Sequence, residues 1–245
     1  LSGNLTGKGD MTVRDGKVQS YQVLTLNSLT ISDATTSVTL GGALTTDAAV
    51  SITSGGTIVQ NAALTAGSTL TLNSNGLMDL NQNVTSSGAT VIDTDTGNGG
   101  TGNFDLASSK ALSTNNNTLQ ITANDIILNG TLSSGSSTTT LLVSDSGTIG
   151  VGDTATAKAM TISKAELQNI TASTLTIGAS SGTGAITVNN LVTANTANLS
   201  TKLALVTGSS ISFSSNASAF NTALDVDAGG TIAVDVGLTG TTFAI

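Results

Sequence analysis

The chain repeats one local pattern from end to end: an apolar, a small polar and an apolar residue in succession. Examples are Met11-Thr12-Val13, Leu24-Thr25-Leu26, Val38-Thr39-Leu40, Val50-Ser51-Ile52, Leu70-Thr71-Leu72, Leu119-Gln120-Ile121, Leu175-Thr176-Ile177, Ile211-Ser212-Phe213 and Leu224-Asp225-Val226. Alternation with a period of two puts the apolar side chains on one face of an extended segment and the polar one on the other, so each triplet predicts a short, half-buried β-strand. Between the triplets lie Ser54-Gly55-Gly56, Asn73-Ser74-Asn75-Gly76, Asn129-Gly130 and Ala228-Gly229-Gly230. Gly and Asn accommodate left-handed backbone at low cost, so these segments predict tight turns.

Strand, turn and strand in this rhythm suit either an antiparallel sandwich or barrel, or a stack of parallel coils. Sandwich cores normally contain large aromatics, whereas the only aromatics here are Tyr21, Phe104, Phe213, Phe220 and Phe243. Narrow coils stacked on one another need only aliphatic columns. Comparable triplets recur at separations of 20 (Val50 to Leu70), 22 (Leu119 to Leu141) and 21 (Leu203 to Leu224), and such periods belong to solenoids. The texture does not change along the 245 residues. The expectation is therefore an all-β parallel β-solenoid, continuous over 1-245. At ~20 residues per coil it has about 12 coils, and at ~4.8 Å per strand it forms an elongated rod roughly 58 Å long.

One segment departs from the pattern, Ser163-Lys164-Ala165-Glu166-Leu167-Gln168-Asn169-Ile170, which contains the only Glu of the chain. Ser followed three residues later by Glu has the form of a helix capping box. A single helical turn or a protruding loop near 163-170 fits these residues, and a solvated Glu166 at a coil corner fits them equally well.

Composition narrows the chemistry. There is no Cys, so no disulfide, thiolate nucleophile or soft metal site. The net charge is −8, and the basic residues Lys8, Arg14, Lys17, Lys110, Lys158, Lys164 and Lys202 are scattered. Nucleic-acid backbones and anionic membranes both call for clustered cations, so neither is an expected partner. Apolar runs such as Leu203-Ala204-Leu205-Val206 are too short to insert into a membrane. The chain starts at Leu1 without a charged and then apolar leader, from which a removed signal or an excised internal segment is expected.

Candidate catalytic motifs fare poorly against the same composition. Gly178-Ala179-Ser180-Ser181-Gly182 matches the G-x-S-x-G nucleophile pattern, but the chain has no His to act as its base. Gly97-Asn98-Gly99-Gly100-Thr101-Gly102 has dinucleotide-loop spacing, yet Asn103-Phe104-Asp105-Leu106 does not continue as the helix that such a loop must open. Calcium is the one cofactor the carboxylates suggest. Asp93 with Asp95, and Asp225 with Asp227, are each expected to place two carboxylates, hard oxygen ligands, on one strand face. The segment Gly99-Gly100-Thr101-Gly102-Asn103 begins like a calcium-binding nonapeptide but has Phe104 where the Asp should stand. The competing reading is four solvated corner aspartates.

Two other functions suit a solenoid. A polysaccharide-binding or polysaccharide-processing β-helix would want a convergent carboxylate pair and aromatic platforms, and the five aromatics do not provide them. An ice-binding solenoid would want aligned Thr-x-Thr steps. Those at Thr69, Thr94, Thr138, Thr154 and Thr174 begin 25, 44, 16 and 20 residues apart, so one flat array is not expected.

The segment from Ala165 to Gly178, continuing through Gly184-Ala185-Ile186-Thr187-Val188, resembles the repeat of filamentous-haemagglutinin-like two-partner-secretion exoproteins, and Leu119 to Gly130 resembles a second element of them. The likeness in motifs covers about a quarter of the chain, and neither the secretion domain nor an effector domain of that family is recognisable. The resemblance implies a right-handed parallel β-helix, secreted to the bacterial cell surface. There it would act in adhesion, biofilm matrix or contact with host or neighbouring-cell surfaces and glycans, with self-association into filaments. The missing His and Cys and the scarce charge, independently of the resemblance, lead to the expectation that the chain is not an enzyme.

Overall fold

A computed structural model describes residues 5–6, 9–14, 23–34, 37–153 and 159–245, with the backbone alone at 5–6, 12–14 and 33–34. Tyr21, Lys8, Lys17, Lys158 and the step at Thr154 lie outside the described residues, and Arg14 is described by its backbone only. The chain is all-β apart from one α-helix and two short 3-10 turns among the described residues. Its ladders are parallel and solenoid-like: many steps are about 20 residues, as from Val50 to Leu70, and others are longer, as from Thr90 to Leu119 and from Thr138 to Thr174.

The longest ladder joins eleven strands, from Asp10–Arg14 through Ser28–Ala34, Val50–Ser54, Leu70–Ser74, Thr90–Asp93, Leu119–Ala123, Thr138–Val143, Ile170–Ala179, Leu199–Thr207 and Ala223–Ala228 to Phe243–Ala244. A second runs from Leu5–Thr6 through Val23–Leu26 and Ala43–Thr46 to Thr131–Ser133 and the start of Ile170–Ala179. A third stacks Ser37–Leu40, Thr57–Gln60, Met78–Leu80, Asn103–Leu106 and Asp125–Leu128. The three share one core of Leu, Ile and Val contributed by the triplets. Register confirms the 20-residue step from Val50 to Leu70 and the 21-residue step from Leu203 to Leu224. Leu141, however, pairs with Ile121, and Leu119 with Thr139, so the 22-residue spacing is not a register.

Stacking places inward residues in columns, as in Leu29, Val50, Leu70, Thr90, Leu119, Thr139, Leu175 and Leu203. The two threonines are buried polar steps, and each hydroxyl is paired: Thr90 with Ser86 at 2.6 Å and Thr139 with Ser134 at 2.8 Å. Buried hydroxyls also close the corners. Thr46 donates to the Ala48 carbonyl, Ser74 to Gly76, Ser86 to Gly88 and Ser134 to Ser137. A turn buried between stacked coils must satisfy its carbonyls internally, which explains Ser and Thr at these inward positions.

The third ladder breaks where strand order and chain order part. Ile149–Gly152 pairs on one side with Met160–Ile162 and on the other with Ile186–Asn189, so the strand later in sequence lies on the earlier strands' side of the stack. No backbone ladder joins Asp125–Leu128 to Met160–Ile162. Side chains bridge the gap: Thr161 N–H donates to Asp125 Oδ1 at 2.9 Å, Leu128 N–H to Glu166 Oε1 at 3.0 Å, and Asn169 Nδ2 to the Leu128 carbonyl at 3.1 Å. Helix α1, Lys164–Gln168, sits at this corner with a complete capping box. The Glu166 N–H donates to Ser163 Oγ, and the Ser163 N–H to Glu166 Oε2. Glu166 is therefore a structural clamp rather than a solvated corner residue.

Candidate functional site

Two glycine-rich motifs far apart in sequence flank one groove. The strand Thr90–Asp93 ends at a corner, and the chain departs into the loop that contains Gly97 to Gly102. This loop wraps around the side chain of Asp95, which is fully buried. Its Oδ1 accepts from Gly99 N–H at 2.9 Å, and its Oδ2 from Gly100 N–H and Ser144 Oγ, both at 2.7 Å. Backbone N–H groups that in a dinucleotide site would hold phosphate here hold the chain's own carboxylate. Gly102 is needed for the closure, because a Cβ there would lie 1.7 Å from the Thr94 carbonyl oxygen. Burial pushes the Asp95 carboxyl up, but the bonds from Ser144, Gly99, Gly100 and Thr101 outweigh it and hold it below the usual carboxylate value.

The second motif, Gly178 to Gly182, is a turn that ends Ile170–Ala179, with Gly182 N–H donating to the Ala179 carbonyl at 2.8 Å. Ser180 and Ser181 are both exposed, and no helix follows to form a nucleophile elbow. Gly178 has φ 85, and a Cβ there would meet the Val206 carbonyl oxygen at 2.3 Å. The turn is held from the next strand by Thr207 Oγ1, which donates to the Gly182 and Gly184 carbonyls.

A groove of about 430 Å³ is lined by Asn98 of the first motif and Gly178, Ser181 and Gly182 of the second, together with Asp145, Ser146 and Thr207; Asn98, Asp145, Ser146 and Ser181 are exposed. Asn98, Asp145 and Ser146 all have left-handed backbone, at φ 49, 56 and 52. Sequence reasoning treated the two motifs separately and missed the groove. The signal was their shared corner position, which becomes visible only once the register is known.

The four carboxylates considered for calcium are placed differently from one another. Asp93 faces outward and its Oδ1 accepts from the Asp95 N–H at 3.0 Å, while Asp95 turns inward, so this pair does not share a face. Asp225 and Asp227 both point away from the core on Ala223–Ala228, and Asp225 is ion-paired with Lys202 at 2.6 Å. Among the described residues no three His, Cys, Asp or Glu side chains converge as a metal-binding set.

Hydroxyls align more than the Thr-x-Thr spacing suggested. Thr138 and Thr140 are in register with Thr174 and Thr176. A separate outward column runs Thr25, Thr45, Thr65, Thr85, Ser113, Ser133 and Thr171. Its first four members recur every 20 residues, a signal present in the sequence but outside the Thr-x-Thr search. Outward on the third ladder, Asp79 and Asp105 are in register. Burial first, and then the Asp79 charge, raise the Asp105 carboxyl above its usual value.

A scan of protein-family models matches none, and searches of curated proteins and of solved structures return no match.

Proposed function

We propose that this chain is a non-catalytic structural and adhesive segment of a secreted bacterial surface exoprotein of the filamentous-haemagglutinin-like kind, wound as a right-handed parallel β-helix into an elongated rod. The observation that carries this reading is the eleven-strand ladder, in which the inward column passes in register from Met11 to Phe243. Eleven strands at ~4.8 Å span roughly 48 Å, close to the extent that a ~20-residue coil implies. The pairing advances along the chain at every step, as winding requires.

The absence of His and Cys from the sequence supports a role without catalysis. End-to-end self-association into filaments, with the outward Thr, Ser and Asn facing host or neighbouring cells, is part of this reading, since an exposed parallel edge is a template for a further strand.

Negative-stain electron microscopy and small-angle scattering test the reading. Thin rods that lengthen with concentration are expected; round, monodisperse particles at every concentration overturn it.

A further inference from the structure

Of the three ladders described above, only the second presents an uncharged face. Its strands from Val23–Leu26 to Thr131–Ser133 contain no Asp, Glu, Lys or Arg, whereas Asp93, Asp225 and Asp227 lie outward on the long ladder and Asp79 and Asp105 on the third. Along this face the outward column that runs from Thr25 to Thr171 carries a hydroxyl on all seven stacked strands. Fewer than a third of the residues are Ser or Thr, so composition alone would rarely fill seven positions in a row. Strand formation does not require the run either. The outward column of the long ladder passes from Thr71 to Val91, Gln120 and Thr140, and later to Ala204 and Asp225. Two residues before each hydroxyl, the second ladder carries Val23, Ala43, Ala63, Asn83, Ala111 and Thr131, mostly small and methyl-bearing. The array is therefore one hydroxyl column beside one methyl column, which a search for Thr-x-Thr passes over.

We infer that this face binds the surface of ice. Strands repeat at ~4.8 Å across a parallel ladder and alternate residues at ~6.6 Å along it, close to the ~4.5 Å and ~7.4 Å oxygen repeats of an ice prism face. The remaining difference is taken up by waters that bridge to the hydroxyls, since water-mediated hydrogen bonds are nearly as favourable as direct ones. A hydroxyl both donates and accepts, as a lattice water does, and the Thr, Val and Ala methyls favour the ordered water that surrounds apolar groups. A charged side chain would impose a hydration shell of its own on that lattice, and these strands carry none. Each contact is weak, but a rigid ladder presents them all at once, so their effects multiply. A protein partner fits this face poorly, because binding energy between proteins concentrates in Trp, Tyr and Arg rather than Ser, Thr and Val, and the strands hold none of the former. The inference rests on the ladder alone and needs neither secretion nor self-association.

The test is the growth of single ice crystals in a solution of the chain, followed on a nanolitre osmometer. The freezing temperature should fall below the melting temperature by a gap that widens with concentration, and the crystals should be faceted rather than round. Thr45→Tyr combined with Thr65→Tyr puts bulky rings on two exposed members of the column and should abolish the gap. Thr71→Tyr, outward on the long ladder, should leave it as in the parent. Circular dichroism melts show whether each variant is folded, and Thr45→Lys combined with Thr65→Lys replaces the tyrosine pair if that pair unfolds the chain. Round crystals and no gap for the parent at millimolar concentration, a full gap in the folded double variant, or an equal loss in Thr71→Tyr would each overturn the assignment. Failure here leaves the rod reading intact, because microscopy reads shape and crystal growth reads the face.

Discussion

Ser144 donates a 2.7 Å hydrogen bond to Asp95 across 49 residues of sequence, and both side chains are buried. The contact joins the loop after one strand of the long ladder to the corner two strands later, fastening a glycine-rich loop that has no apolar anchor of its own. Asp95→Asn should therefore destabilise the chain by about 2–3 kcal/mol at neutral pH, since hydrogen bonds to a charged group contribute more than neutral ones. Ser144→Ala should cost about 1–2 kcal/mol, because the carboxylate keeps its backbone donors. Urea denaturation of the two variants and of the double variant measures both values, and additive losses would show that the contact is not energetically coupled.

The same carboxylate sets a pH dependence. Its folded value lies below its unfolded one, so its stabilisation is fully present above the unfolded carboxylate value near ~4 and is lost as pH falls through the lower folded value. Melting temperature should drop on acidification below about pH 4, and by less in Asp95→Asn. An equal drop in both proteins would assign the acid sensitivity to other groups.

Asp105 carries the opposite sign. Desolvation and its in-register neighbour Asp79 raise its carboxyl, so the ionised form opposes folding at neutral pH and protonation relieves it. Asp105→Asn should stabilise at pH 7 by ~0.2–1 kcal/mol, the size of a like-charge cross-strand pair, and the gain should vanish in acid. Thermal melts at the two pH values check the prediction.

Glu166 serves two partners through its two oxygens, the Leu128 N–H and the Ser163 N–H. Glu166→Ala should cost about 1–2 kcal/mol from lost capping and an unsatisfied strand group, and Glu166→Gln should recover part of it through its one remaining carbonyl acceptor. Hydrogen exchange should show the loss first at Leu128 and along α1. Protection unchanged at Leu128 would place the effect in the helix alone.

A core change tests how far each coil stands alone. Ile121→Ala removes a fully buried side chain stacked between Ile92 and Leu141 and should cost about 2–5 kcal/mol. In a stacked repeat the loosening should centre on the strands Thr90–Asp93, Leu119–Ala123 and Thr138–Val143, which hydrogen exchange can map. Uniform loosening from Leu24 to Phe243 would indicate one cooperative unit.

Sequence alone determined the strands and their inward faces, because the period-two triplets leave only one face of each strand to bury, while the 20- and 21-residue recurrences and the scarce aromatics pointed to parallel coils. The Ser163 and Glu166 spacing had the form of a capping box, but the sequence left a solvated corner Glu166 equally open, and the structure decided for the box. Tertiary structure alone decided the rest. The reversed order of Ile149–Gly152 and Met160–Ile162, the turning-in of Asp95 away from Asp93, and the meeting of the two glycine motifs around one groove all depend on register. Register is set by how whole coils stack, a sum over many weak contacts between residues 20 to 50 positions apart. Local spacing holds no record of that sum.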